Sequence, residues 1–454
     1  MSDLDAIFKA YDVRGTYPEQ IDAAGCRAIG AAFARFALDD GGPVPHIIVA
    51  RDMRPSGVEL AQAFSDGVRS QGVDVLDVGL ASTDLLYFAS GSRGAPGAMF
   101  TASHNPAQYN GIKFCLAGAK PLGLDSGLAQ VRDLARDGVP AGPSQGGYSE
   151  ADLLGEFADH VRSFVDVSAF KPLKVVADTA NGMGGLVVPA VFEALPFDLE
   201  IMYEELDGRF PNHPADPLQP ENQRDLCARV REVGADIGFA FDGDADRVFV
   251  VDELGNGISG STTTAMVAAG VLEKEPGATI LHNLICSKAV PEVVRERGGT
   301  PVRTKVGHSF IKAEMAATGA AFGGEHSAHY YFRDNYRADS GLIAAMHVLE
   351  RRCRAEEPMS VLRQPFDRYA DSGEINTQVH DPAAVIDAVA AHFRAEVPSA
   401  AQDRLDGLTV DLGDWWFNLR PSNTEPLLRL NLEARTRDEC DDHTSELLHL
   451  ITKG

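Results

Sequence analysis

Short apolar runs alternate along the chain with longer stretches whose apolar residues recur at helical spacing. "HIIVARD" (46–52) has the β-branched density of a buried strand. The stretch near 57–71 puts Ala61, Phe64 and Val68 on one helical face, and "VDVLDVG" returns to strand. Together they predict a βαβ unit. The same grammar follows as strand 173–178, helix 185–195, strand 199–203, helix 222–233 and strand 236–241. A third round reads as a helix over "GSTTTAMVAAGVLE", strand 278–284, helix 287–297, strand "PVRTKV", helix 308–318 and strand "AAFGGE". No sequence identity links the rounds, so any repeat among them is structural.

Breaker-rich joints at 137–150, 253–257 and 364–374 divide the chain further. The expected domains are 1–145, 146–255 and 256–368, each α/β, followed by a smaller α+β domain over 369–454. Within the last, "DWWFNLRPSNTEPLLRLNLEA" (414–434) reads as strand, polar loop and strand.

A length of 454 residues, 44% hydrophobic and 24% charged, suits a globular chain with several separate cores. The formal charge of −25 argues against a nucleic-acid or anionic-membrane partner, since either needs a basic footprint. An anionic substrate must then be held by local positive charge. The six cysteines (26, 115, 227, 286, 353 and 440) are scattered singly, which fits free thiols rather than a zinc site or disulfide framework. The acidic N-terminus has no apolar leader core, and no apolar run approaches the ~18 residues of a membrane span. A cytoplasmic protein is expected, either a monomer or a homodimer.

The sharpest motif is "DGDADR" (242–247). Asp242, Asp244 and Asp246 stand between two apolar strands, where three carboxylates so close repel one another unless a cation joins them. Oxygen-only donors favour Mg²⁺. Arg247 beside them suits either a phosphate or a salt bridge to one of the aspartates.

"TASHNP" (101–106) follows an apolar strand, so Ser103 falls on a loop at a strand end, where α/β proteins place their chemistry. Its residues suit a phosphate-carrying serine and an ordinary turn equally. His104, adjacent in sequence, is not expected to turn its ring back to Ser103. The loop "RPSNTEP" offers Arg420, Ser422, Asn423 and Thr424 to a phosphate group. In "GGEHSAH", period-2 spacing puts Glu325, Ser327 and His329 on one face of an extended segment, an acceptor, a hydroxyl and an imidazole suited to sugar hydroxyls. Lys305 and His308 begin a helix, and "DTANGMGG" (178–185) misses the GxGxxG pattern and reads as a tight turn.

Taken in order, "FKAYDVRG", "TASHNP", "NGIKF", "DGDADR", "GGEHSAH" and "RPSNTEP" resemble the α-D-phosphohexomutase superfamily, with the bacterial phosphomannomutase/phosphoglucomutase branch nearest in pattern. The resemblance implies an α/β fold of four domains around a central cleft, three of related mixed-sheet topology and a smaller C-terminal one. It implies a phosphoryl group carried on Ser103 and one Mg²⁺ held by Asp242, Asp244, Asp246 and that phosphoserine. Arg14, His104, Lys113, Arg247 and His308 fall at catalytic positions. Tyr11, Glu325, Ser327, His329, Arg420, Ser422, Asn423 and Thr424 fall at substrate-binding ones. The implied reaction converts mannose 6-phosphate to mannose 1-phosphate through a hexose 1,6-bisphosphate, with glucose phosphates as further substrates. Phosphoglucomutase, phosphoglucosamine mutase and magnesium-dependent sugar phosphatase are the alternatives. One departure concerns "NLICSKAV", where some relatives carry a lysine at the place of Ile285, and Lys288 stands one helical turn on.

Overall fold

The computed structural model describes residues 4–40, 44–421 and 427–453, with the side chains of His308 and Lys453 outside that description. The chain gathers into two compact units, 1–259 with 327–362, and 260–326 with 363–454. The segment 327–362 thus groups with the N-terminal part of the chain rather than with the residues that precede it.

The first unit contains two mixed sheets. Among the described residues the first runs in the order Asp12–Thr16, Tyr109–Leu116, Gly97–Phe100, Ile47–Arg51, Val75–Leu80, Tyr148–Glu150, with Lys120–Pro121 added beside Tyr109–Leu116. The strands Gly97–Phe100, Ile47–Arg51 and Val75–Leu80 are parallel, joined by the helices Ser56–Arg69 and Thr83–Arg93. Tyr109–Leu116 turns antiparallel, pairing Ile112 with Phe100, so the loop 101–108 is a hairpin connection at the end of the parallel core. Phe33, Phe64, Phe100 and Phe114 fill the space between helices and sheet, with ring centroids 4.7 to 6.2 Å apart. Each such buried ring contributes about 1.5–3 kcal/mol relative to exposure.

The second sheet orders Gly257–Ile258, Val248–Asp252, Ile237–Phe241, Lys174–Asp178, Asp198–Met202. The last three are parallel. Val248–Asp252 returns antiparallel to Ile237–Phe241 with Phe241 opposite Val248, which makes 242–247 a tight loop between two fully buried strands. "DTANGMGG" is a tight turn built on left-handed Ala180 and Asn181 (φ 49° and 58°).

In the second unit, Thr300–Thr304, Thr279–Asn283 and Phe322–Gly324 pair in parallel, backed by helices Gly260–Lys274, Ala289–Glu296 and His308–Thr318. A second sheet, antiparallel throughout, follows in the order Ala370–Gln378, Leu427–Ala434, Trp415–Pro421, Leu408–Asp411, Ala401–Asp403. Helices Pro382–Glu396 and Arg437–Lys453 cover it through Phe393, Leu447 and Ile451. The fold is therefore three mixed α/β sheet layers and a C-terminal antiparallel α+β layer. No helix among the described residues is long and apolar enough to cross a membrane.

The "GGEHSAH" segment departs from the extended shape that its period-2 polarity predicts. Its strand ends at Gly324, and Ala328 takes the left-handed conformation (φ 65°). Side-chain alternation ends where the backbone leaves the β region, so Glu325, Ser327 and His329 do not share a strand face. Glu325 belongs to the second unit, Ser327 and His329 to the first.

Candidate active site

The aspartates converge because their loop turns on itself. Ala245 is left-handed (φ 61°), its N–H donates to the Asp242 carbonyl at 3.1 Å, and each carboxylate places an oxygen within 4.8 Å of the others. All three are essentially without solvent exposure. Gly243 sits at the closest approach to the serine loop, where a Cβ would stand 2.4 Å from the Ser103 carbonyl oxygen. No larger residue fits there without moving that loop.

Ser103 is itself left-handed (φ 49°), an uncommon conformation for a residue with a Cβ that persists only where its surroundings enforce it. Its N–H donates to Thr101 Oγ1 at 2.8 Å and its hydroxyl to Asp242 Oδ2 at 2.8 Å. The same twist brings His104 Nδ1 to 3.2 Å from Ser103 Oγ, contrary to the sequence expectation for adjacent side chains. His104 Nδ1 also accepts from Arg247 Nη2 at 2.7 Å, so this ring is a neutral acceptor with its proton on Nε2. Burial, then the charges of Arg247 and Arg14, hold its pKa well below the usual histidine value.

Arg247 donates to Asp242 through both its backbone N–H (3.2 Å) and Nε (2.9 Å), so the salt-bridge alternative for this residue is met geometrically. Lys113 Nζ donates to Asp244 Oδ2 and Asp246 Oδ2, each at 2.7 Å. Burial pushes the Asp242 carboxyl up to about 8 against the pull of Arg247. Asp244 is equally buried, yet Lys113 and Thr83 hold it below the usual carboxylate range. Arg14 donates to Asn105 Oδ1 (2.7 Å) and Asp12 Oδ2 (2.6 Å), which ties the strand Asp12–Thr16 to the serine loop. Tyr11 immediately precedes that strand. His329 Nε2 lies 3.7 Å from Asp246 Oδ1 and its Nδ1 3.2 Å from Ser327 Oγ. Ser103, His104, Lys113, Arg14, Arg247, Ser327, His329 and the three aspartates are thus gathered in the first unit.

The remaining candidates lie in the second. Glu325, buried, accepts from Gly307 N (3.0 Å) and Asn283 Nδ2 (3.3 Å). Arg420, also buried, donates to Asn431 Oδ1 at 2.8 Å and to Glu374. Lys288 Nζ is engaged by Asp411 and the Gly413 carbonyl. Ser422, Asn423 and Thr424 lie outside the described residues, as does the side chain of His308.

The donor set fits a divalent cation. Asp244 Oδ1 and Asp246 Oδ1 are buried with no hydrogen-bond partner, a costly state for carboxylate oxygens that a hard cation would relieve.

Several site residues escape a reading by motif. Thr83, second residue of the "STD" that opens a helix, donates to Asp244 Oδ2 at 2.5 Å while its N–H binds the Asp244 carbonyl at 3.0 Å. Asp84, fully buried, accepts from Ser82 and Ser340. Asp52 and Arg54, fully buried beneath the serine loop, have as their one sequence signal a pair of charges directly after the apolar strand Ile47–Arg51.

Four family models match this chain in succession: phosphoglucomutase/phosphomannomutase alpha/beta/alpha domains I (5–135), II (155–255) and III (259–369), and the C-terminal domain (374–449). The chain belongs to the phosphoglucomutase/phosphomannomutase family. Phosphohexose mutases of Xanthomonas campestris pv. campestris are 41% identical over 94% of this chain and 95% of theirs. A phosphomannomutase of Escherichia coli K12 is 40% identical over 94% of each chain. A crystal structure of a phosphoglucomutase/phosphomannomutase family protein from Burkholderia thailandensis, 34% identical, superposes with a TM-score of 0.90, covering 100% of this chain and 99% of that one. As a member of this family the chain is an isomerase of the phosphomutase type.

Proposed function

We propose that this phosphomutase interconverts mannose 6-phosphate and mannose 1-phosphate, and acts also on the glucose phosphates, through phospho-Ser103 and a hexose 1,6-bisphosphate. The observation that carries the reading is the seat of Ser103, with its hydroxyl 2.8 Å from Asp242 Oδ2 beside the three-carboxylate cluster. The mannose assignment draws on relatives near 40% identity that bear the name phosphomannomutase.

In the forward half-reaction the bond from phosphorus to Ser103 Oγ breaks as a bond to a hydroxyl oxygen of the sugar phosphate forms. The sugar hydroxyl gives up its proton and Ser103 Oγ gains one. The second half-reaction reverses this from the other phosphate of the bisphosphate. Both partners are anionic, a phosphoserine carrying about −1.5 to −2 charge, and their repulsion is what the site must offset. Asp242, Asp244, Asp246 and phospho-Ser103 would hold Mg²⁺, which when bound withdraws charge from the transferring oxygen. Arg247 and Lys113 add fixed positive charge to the aspartate cluster that Ser103 adjoins, and Arg14 orders the loop through Asn105. Arg420, with Ser422, Asn423 and Thr424, takes the sugar's other phosphate. Tyr11, Glu325, Ser327 and His329 take its hydroxyls, and His308 serves proton transfer.

The test is incorporation of label from [³²P]glucose 1,6-bisphosphate and turnover on mannose 1-phosphate and glucose 1-phosphate. Wild type is expected to retain label on Ser103 and to isomerise both sugars. Ser103→Ala is expected to lose the label and nearly all turnover, and full turnover in that variant would end the assignment. Wild type inactive on mannose 1-phosphate but active on the glucose ester would overturn the mannose reading alone.

A further inference from the structure

Arg54 is one of the largest fully buried side chains of the protein, and its guanidinium has an oxygen for every N–H. Nε donates to Asp52 Oδ2 at 3.1 Å. Nη1 donates to the carbonyls of Pro106 (2.8 Å) and Tyr109 (2.9 Å), and Nη2 to those of Ser103 (2.9 Å) and Asn105 (2.6 Å). One side chain therefore gathers three backbone carbonyls of the loop that presents Ser103 and a fourth from Tyr109, where the next strand begins. Asp52 orients the fork from below, since its other oxygen accepts the Arg54 N–H at 2.9 Å.

From the far side the loop of the second sheet layer closes over it. The Phe210 ring centroid lies 5.2 Å from Arg54 Cζ, and a Cβ on Gly208 would meet Arg54 Cα at 2.6 Å. Arg54 thus has neither solvent nor spare volume in which to reorient.

This arrangement answers why Ser103 keeps a left-handed backbone. Relaxing φ to the ordinary region would rotate the peptide after Ser103, turn its carbonyl away from Nη2, and swing the hydroxyl off Asp242. The same carbonyl is the atom against which Gly243 packs, so it marks the junction of serine loop and aspartate loop. A lysine could not substitute, because its three donors radiate from one nitrogen and lack the planar five-donor fork.

We propose that Arg54, oriented by Asp52, is a positioning residue for phosphoryl transfer: by holding the carbonyls of residues 103, 105, 106 and 109 it fixes the line along which Ser103 Oγ meets phosphorus. The inference rests on Ser103 being the phosphoryl carrier. It touches no substrate atom and acts only through the loop.

Rapid-quench labelling of the full-length protein with [³²P]glucose 1,6-bisphosphate tests it, alongside steady-state kinetics on mannose 1-phosphate and a thermal melt. In Arg54→Lys the rate of label transfer to Ser103 is expected to fall about 100-fold, the scale of a misplacement near 1 Å, in protein shown by its melt to be folded at the assay temperature. KM for the sugar phosphate is expected to stay within about threefold of wild type, because the binding groups are untouched. If Arg54→Lys does not fold, Asp52→Asn provides the same comparison with the fork itself retained. Slowed labelling at unchanged KM supports the proposal in either variant. A wild-type labelling rate in a folded variant, or a loss seen only in KM, overturns it. Wild-type enzyme that takes no label on Ser103 removes the carrier reading and this inference together.

Discussion

Lys113 is the residue whose removal best tests how the acidic cluster is balanced. Its ammonium stands 2.7 Å from one oxygen of Asp244 and 2.7 Å from one of Asp246, with side-chain exposures of 13%, 0% and 2%. At an effective dielectric of about 20, each contact corresponds to roughly 6 kcal/mol of Coulomb attraction before desolvation is charged against it. Lys113→Met keeps the stem and removes the charge. Measured losses on breaking a buried pair by deleting one partner suggest about 3–5 kcal/mol in metal-free protein. For a cooperative region of 150–250 residues that corresponds to a melting shift of roughly 6–20 °C in EDTA.

The oxygens divide the cluster's work. Lys113 occupies the Oδ2 atoms, while the Oδ1 atoms of Asp244 and Asp246 are the ones left without partners. Deleting the lysine therefore leaves the proposed cation ligands in place and raises the negative charge around them. Mg²⁺ is expected to bind the variant more tightly by calorimetry, and to recover more of its melting temperature than it adds to wild type. Turnover is expected to fall even at saturating Mg²⁺. A variant that melts with wild type in EDTA would refute the buried-balance reasoning. Equal magnesium stabilisation of both proteins would refute the assignment of the Oδ1 atoms to the metal.

Gly243→Ala places a Cβ 2.4 Å from the Ser103 carbonyl oxygen, so it is expected to cost about 1–3 kcal/mol by denaturant unfolding and to slow Ser103 labelling. Wild-type labelling would show that the two loops are not in register as described. His213 has oxygens at both ring nitrogens, Pro214 O at 2.9 Å and Asp178 Oδ2 at 3.0 Å. Burial lowers its pKa, but the hydrogen bond and charge of Asp178 outweigh this and raise it above 6.5. The raised folded value means that the contribution of this pair to stability is fully present below pH 6.5 and is lost as pH rises through the folded pKa. NMR titration is expected to find His213 above 6.5, and a value at or below 6.5 would remove the ion pair.

What the sequence made legible were the groups whose geometry is local. Asp242, Asp244 and Asp246 lie within five residues of one another, so any tight loop between two strands brings them together, and "DGDADR" carries its own convergence. The alternation of strands and helices was likewise readable, because Ala61, Phe64 and Val68 are all buried on the predicted face. "GGEHSAH" misled for the complementary reason. Its polar alternation is real, but the strand ends at Gly324 and the chain turns, with left-handed Ala328 completing the departure, and residue type gives no warning when that residue is alanine.

Arg54 marks a different limit. Motif reasoning pairs side chains with side chains, and it weighs an arginine as a partner for carboxylate or phosphate. Four of the five donors of Arg54 go instead to main-chain carbonyls more than 45 residues away, atoms that every residue carries and no composition reveals. Its one sequence-visible partner, Asp52, makes it resemble a local ion pair. Yet the left-handed turn at Ser103 needs something outside the loop to hold it, since a serine, with its Cβ, seldom adopts that conformation unaided. A reactive side chain at a strained position thus implies a buried donor elsewhere in the chain, and a charged pair directly following an apolar strand is where this protein keeps it.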